Sequence, residues 1–252
     1  MYEPRVPWQA GVAAPEYHRA TVELLLRGAS RLREELRTAP LCHAERDAMV
    51  VEAGQPDPPI VLLCSGFAYR ASRLPDGGRI ILDLQIAGDI SGIDHLLLSR
   101  SVEGLVAANR ITYQALAAER LRQLMDDRAV AARVLTLLAE ARWRGDRLAA
   151  SLARLDAEGR IGVMLLDIHD RMLRRGLIRR PRFNLPLTQE QIADHLGLTL
   201  VHVNRILRRL REEGIAAIDR QLVVIERFDV LRELARGLPQ PAILDDPYAA
   251  PY

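Results

Sequence analysis

One stretch constrains this chain more than any other: Thr188 to Gly214, TQEQIADHLGLTLVHVNRILRRLREEG, holds two helix starts and an enforced helix stop in quick succession. Thr188 is a natural N-cap, and Gln191, three places on, can reach back to complete a capping box. Ile192, Ala193 and Leu196 make one apolar face, and Gly197 supplies the left-handed residue that ends the helix. Thr199 caps a second helix, for which the spacing of Val203, Ile206, Leu207 and Leu210 predicts a buried stripe. Two short helices about a tight glycine turn follow helix-turn-helix grammar. Downstream, two apolar runs ending at Ile225 flank Asp219-Arg220-Gln221, which predicts a hairpin wing, with a short closing helix from Phe228 to Arg236.

Charge says which way the second helix faces. The 35 basic and 33 acidic residues nearly cancel, at a formal net charge of +2, so a nucleic-acid or membrane partner has to be met by a local patch. Between Val201 and Arg211 lie four arginines, one His, one Asn and no acidic residue. An exposed arginine can hold guanine through two acceptors in the major groove, and Asn or His can read other base edges. Arg208, Arg209 and Arg211 stand farther along, where a docked helix approaches phosphates. A solvated face is the plainer use of an arginine-rich helix. The caps, the turn and the hairpin beyond favour DNA.

Upstream, from about Pro56 to Tyr113, short apolar runs broken by turn residues predict strands arranged as a small antiparallel barrel or jelly roll. Phe67–Leu74 and Arg79–Ile86 flank Pro75-Asp-Gly-Gly78, which reads as a β-hairpin. Thr21 to Arg37 is more helical in pattern. From Ala115 to Gly176 proline is almost absent and Ala, Leu and Arg abound, which predicts helix throughout. There Val130, Val134, Leu137, Ala141, Arg144, Leu148, Ser151 and Leu155 alternate steps of four and three, the spacing of a seam that packs on its own domain or pairs with a second copy. Pro181 and Pro186 mark a boundary near Arg180, and the proline-rich tail from Pro239 to Tyr252 is expected to be disordered.

Composition removes several chemistries. Every basic residue is arginine, so Schiff-base catalysis, a Walker-type phosphate loop and a lysine general base are excluded. Cys42 and Cys64 are too few for a disulfide scaffold or an all-cysteine iron–sulfur or zinc site, and a cytoplasmic location is the expectation. No apolar stretch approaches the ~20 residues of a membrane span, and the N-terminus lacks a basic start followed by an apolar core. The six histidines show no ligand spacing, so a metal-dependent cupin enzyme, which would share the β-roll, lacks its ligands.

Thr188-Gln-Glu-Gln-Ile-Ala, then Leu196-Gly-Leu-Thr and Val203-Asn-Arg-Ile-Leu, resemble the DNA-binding domain of the CRP/FNR family of bacterial transcription regulators. The resemblance covers about Ala20 to Ala235 and is strong from Leu185 to Gly214. It implies an α+β chain: an N-terminal arm and cyclic-nucleotide-binding-like β-roll (jelly-roll) over 1–114, a helical dimerisation region over 115–180, a winged helix-turn-helix over 181–238 and a tail over 239–252. It implies a homodimeric, non-enzymatic regulator that binds double-stranded DNA at an inverted repeat, with RNA polymerase as a further partner and no membrane contact. Carried over by motif, Arg205 reads guanine, Val201, His202 and Asn204 face the groove beside it, and Thr188, Gln189 and Thr199 contact the backbone. Family members place a glutamate where this chain has Val201, so its half-site should differ from the familiar ones.

In the sensor, Gly88-Asp-Ile-Ser-Gly92 matches the family's glycine frame and Arg100-Ser101 its Arg-Ser pair, but the ribose-binding glutamate falls on Ile93. Asp94 is adjacent, and strand alternation would point it to the opposite face. Binding of cyclic AMP in the usual way is not expected, nor is an iron–sulfur cluster. A cupin-like β-roll enzyme with an accessory helical domain, or an adaptor working through the long helix, is the alternative reading.

Overall fold

The computed structural model describes residues 26–238. The expected tail and the start of the Thr21–Arg37 helix lie outside them. The chain forms two compact units: the described residues up to Ala68 with Gln85–Val134, and Tyr69–Leu84 with the described residues from Leu135 on.

The first unit carries helix α1 (Ser30–Thr38) and the β-roll strands other than most of the β4–β5 hairpin, which falls in the second. Strands β1 (Leu41–Ala44), β8 (Ile111–Leu116), β3 (Ile60–Ser65) and β6 (Ile90–Ser91) form one sheet in that order, antiparallel throughout. A second sheet is ordered β2 (Met49–Val51), β7 (Gly104–Ala107), β4 (Phe67–Arg73), β5 (Arg79–Ile86). Val51, Val61, Leu63, Leu105, Ile111 and Tyr113 fill the core, and β3 reads as an unbroken apolar run because nearly all of it is buried. At Gly66 the turn needs φ +80°, and a Cβ would lie 2.6 Å from the Arg110 carbonyl oxygen. Buried Gln114 donates to the Leu36 and Ala39 carbonyls and so ties the end of α1 to the sheet. Gly92, left-handed at φ +83°, opens a 3-10 turn over Ile93–Leu96. That turn replaces the strand expected there, so the alternation argument for Asp94 does not hold.

The helical stretch expected over Ala115–Gly176 begins one strand end later and is broken twice. Strand β8 runs on to Leu116, and three helices follow: α2 (Ala118–Leu124), α3 (Arg128–Arg154) and α4 (Ala157–Arg174). The new starts are set by aspartates. Asp127 Oδ1 accepts from Ala129 N at 2.8 Å, and Asp156 Oδ1 accepts from Gly159 N at 2.9 Å. The apolar periodicity continues through both breaks and hides them. The seam faces inward too: Val130, Val134 and Leu137 are 0%, 3% and 6% exposed in the single chain. The apolar residues left outside on α3 are Leu135 and Leu138, 61% and 44% exposed.

In the second unit the β4–β5 hairpin packs on helices. Its tip is closed by Leu74 N to Gly78 O (2.8 Å) and Gly78 N to Asp76 Oδ1 (2.9 Å), with Gly77 at φ +85°. The flank of the hairpin is held by polar contacts. Arg144 of α3 pairs with Asp83 through both nitrogens (3.0 and 3.2 Å), the side chains 12% and 11% exposed. Arg171 of α4 donates to the Leu84 carbonyl at 2.9 Å. Two contacts come from helix α5 (Gln189–Leu196): His195 Nδ1 donates to the Ile81 carbonyl at 3.0 Å, and Asp194 accepts from Arg79 at 2.6 and 2.9 Å. Asp83, Arg144, Ser151, Asp167, Arg171 and His195 line a cavity of about 40 Å³, room for a water molecule.

Removing one partner of a buried ion pair leaves the other charge uncompensated, so Asp83→Ala should lower unfolding free energy by about 3–5 kcal/mol in denaturant titration; a loss within error of zero would mean that water already screens the pair. Burial pushes the His195 imidazole below its ordinary value of 6.5, opposed by Ile81 O, Asp83 and Asp167 and reinforced by Arg171. The unfolded chain then binds the extra proton first, so this contribution is full above pH ~6.5 and is lost as pH falls below it. Melting temperature should drop between pH 7.5 and 5.5, and His195→Asn, which keeps a donor, should flatten that drop. An equal drop in both proteins would place the acid sensitivity elsewhere.

Candidate nucleic-acid interface

The helix pair is built as its caps dictate. Thr188 Oγ1 accepts from Gln191 N at 3.1 Å while Gln191 Oε1 accepts from Thr188 N at 2.8 Å, and Gly197 ends α5 at φ +61°. Thr199 Oγ1 accepts from His202 N and starts α6 (Leu200–Glu212). Val203, Ile206 and Leu210 are buried, whereas Leu207, expected in the same stripe, is only half buried at its edge. With those three turned inward, the ~100° step of a helix leaves Val201, His202, Asn204 and Arg205 outside, and all four are exposed, Val201 at 75%. Thr188, Gln189 and Thr199 stand at the two helix starts, and all three are exposed.

Their electrostatic states differ. Arg205 makes no hydrogen bond or ion pair among the described residues. Asn204 Nδ2 donates back to the Leu200 carbonyl at 3.1 Å. Arg208 is paired with Glu212 at 2.7 Å, and Arg209 with both Glu213 (2.7 Å) and Glu158 (2.5 Å). The basic patch read between Val201 and Arg211 is therefore partly neutralised by acids just beyond its end. Such exposed pairs are each worth little and can be exchanged.

The wing consists of β10 (Ala216–Asp219) and β11 (Leu222–Ile225), paired antiparallel. Arg220 and Gln221 both take positive φ, 44° and 73°, as in a type I′ turn. A third strand, β9 (Arg182–Asn184), pairs with β11, and α7 (Phe228–Leu234) closes the unit. Strand β9 was not expected, because three residues between two prolines are too short for a period to register.

In the first unit the effector-segment residues are engaged locally. Arg100 Nη1 donates to the Gly54 carbonyl at 2.9 Å, and Ser101 Oγ to the Glu103 carbonyl at 2.6 Å. Ile93 is buried, Gly88 takes φ +92°, and a Cβ on Gly92 would lie 2.5 Å from His95 Nδ1. Arg100 and Ser101 thus both donate to backbone carbonyls of their own surroundings. Cys42 and Cys64 are buried, which pushes both thiols up. Among the described residues no group of three or more His, Cys, Asp or Glu side chains is placed to hold a metal, and no helix is long and apolar enough to cross a membrane.

Residues 146–234 match the Crp-like helix-turn-helix domain. The fumarate nitrate reduction regulatory protein of Klebsiella oxytoca is 26% identical over 160 residues, 63% of this chain and 64% of that protein, and its Escherichia coli K12 counterpart matches equally. The chain thus spans under two thirds of the length of these curated relatives. In fold it is similar to FixK2 from Bradyrhizobium japonicum, with TM-score 0.70 at 22% identity, covering 78% of this chain and 97% of that one. It is also similar to TTHB099, a CRP-family regulator from Thermus thermophilus, with TM-score 0.63 at 23% identity, covering 77% and 95%. A β-roll, a long helix and a capped helix pair with a wing, joined to these matches, give the chain a Crp-like helix-turn-helix domain and make it similar to the transcription regulators of the CRP/FNR type.

Proposed function

We propose that the chain is a homodimeric, sequence-specific DNA-binding regulator of transcription, acting in the cytoplasm and without catalytic chemistry of its own. The observation that carries this reading is Arg205: exposed and unpartnered among the described residues, near the start of a helix whose inward face is fixed by Val203, Ile206 and Leu210. Arg205 reads guanine, with Val201, His202 and Asn204 beside it. The hydroxyls and amide of Thr188, Gln189 and Thr199 position the backbone of the duplex. Residues 181–238 form the DNA-binding domain and 115–180 the pairing region.

Pairing uses a face of α3 other than the seam first expected. Leu135, Leu138, Arg142, Gly145 and Ala149 follow each other in alternating steps of three and four on its outer side. Two leucines followed by small residues suit close approach of the same helix from a second copy, and two-fold symmetry then sets the recognition helices ~34 Å apart on an inverted repeat. RNA polymerase is the further partner. The inducing signal is not a cyclic nucleotide bound in the family's usual way. Apolar Ile93, and Arg100 and Ser101 already bonded to backbone carbonyls, support that reading.

Selection of sites from random duplexes tests the whole. The wild-type chain should enrich an inverted repeat, Arg205→Ala should flatten preference at one base pair per half-site at a loss of about 1–3 kcal/mol in discrimination, and Val201→Glu should shift a neighbouring pair toward cytosine. Unchanged selectivity in Arg205→Ala would sink the assignment. In light scattering the wild type should be a dimer and Leu135→Glu/Leu138→Glu a folded monomer; a dimeric double variant would remove α3 from the interface.

A further inference from the structure

The recognition helix is not where this chain keeps its most available positive charge. Residues 174–182, RRGLIRRPR, hold five arginines in nine positions and no acid, the run leading from the end of α4 into β9. Arg179, Arg180 and Arg182 are exposed, and none of their side chains makes a hydrogen bond or ion pair among the described residues. Arg208 and Arg209, by contrast, are held by Glu212, Glu213 and Glu158.

The wing fixes where this run lies. Phe183 is buried, so alternation along β9 turns Arg182 and Asn184 outward, opposite Val224 and Leu222 of β11. Helix α6 packs on β10, and the strand order β10-β11-β9 sets β9 two strand spacings away, roughly 10 Å beyond the strand beside the recognition helix. A second observation concerns the tip of the same sheet. Arg220 and Gln221 occupy consecutive left-handed positions that Asn-Gly fills at least cost. Arg220 is exposed and, among the described residues, has no partner. The chain carries backbone strain there and holds a cation at the point of the wing.

We infer that the principal phosphate anchors of this protein lie off the recognition helix, on Arg179, Arg180 and Arg182 and on the wing-tip Arg220, forming a second contact surface for the duplex that flanks the bases read by α6. The inference rests on the DNA-binding reading above. Free guanidinium groups meet phosphates with no internal pair to break, whereas Arg208 and Arg209 must first give up their glutamates. The surface adds affinity without base preference, since phosphates carry no sequence.

The test is a fluorescence-anisotropy titration of the full chain over roughly 50–200 mM salt, on a selected duplex trimmed to its two half-sites and on the same duplex with random flanks. For the wild type, flanks should tighten binding. Arg179→Gln/Arg180→Gln/Arg182→Gln should abolish that gain and reduce the slope of log affinity against log salt by up to about 2.7, at ~0.9 for each phosphate no longer neutralised, leaving the selected sequence unchanged. Arg220→Gln should remove about 0.9, Arg208→Gln/Arg209→Gln less per residue, and Arg179→Lys/Arg180→Lys/Arg182→Lys should keep most of the slope. Equal melting temperatures establish that the variants fold. A triple variant with the wild-type slope and flank effect overturns the inference while the functional reading stands. A wild type that selects no duplex overturns the reading itself.

Discussion

Asp83 and Arg144 face each other between hairpin and helix, each only about one-tenth exposed, and the arrangement of the second unit depends on that pair. Two opposite charges in so dry a place add little net stability, since desolvation offsets most of their attraction, but either one alone would be costly. The pair therefore works by exclusion: any packing of hairpin on helix that separates the two charges is heavily disfavoured. Around it the remaining contacts fall in line, with Arg171 on the Leu84 carbonyl, His195 on the Ile81 carbonyl and Arg79 on Asp194. The first helix of the helix-turn-helix is thus registered by directional bonds to a β-hairpin more than 100 residues away in sequence. The angle at which α6 presents Arg205 follows from α5 through the glycine turn.

What could be read from the sequence was local. Thr188, Gln191, Gly197 and Thr199 act within a few residues of themselves, and each does in the fold what its side chain suggests in isolation. The β4–β5 hairpin was equally legible from Pro75-Asp-Gly-Gly78. The failures arise where a pattern fixes a periodicity but not a partner. The spacing of Val130, Val134 and Leu137 states that one side of a helix is covered, and nothing in the spacing says whether the cover is the chain itself or a copy. Asp127 and Asp156 were invisible as helix starts inside an apolar rhythm that continues unbroken across them. Nothing local marks Asp83 and Arg79 as docking residues, and only tertiary packing brings Arg144 and Asp194 to them.

Charge shows the same limit more sharply. A window closed at Arg211 counts four cations on α6, and extending it by two residues brings in Glu212 and Glu213, each one helical turn from the arginine it binds. The outward residues nearest the start of the helix escape this neutralisation. Arg208 and Arg209 are consequently in a different electrostatic state from Arg205.

Helix α3 runs for 27 residues without a proline, about 40 Å. A rod of that length is mechanically stiff, so a small tilt at either end is a displacement of several ångströms at the other. Its one compliant point is Gly145, which lies on the outer side and whose missing side chain leaves nothing within 4 Å. Glycine lowers helix propensity by about 1 kcal/mol, enough to decide where the rod would bend under load. Alanine at that position would stiffen the rod at its most pliable point, and within the single chain its methyl group would meet no neighbour.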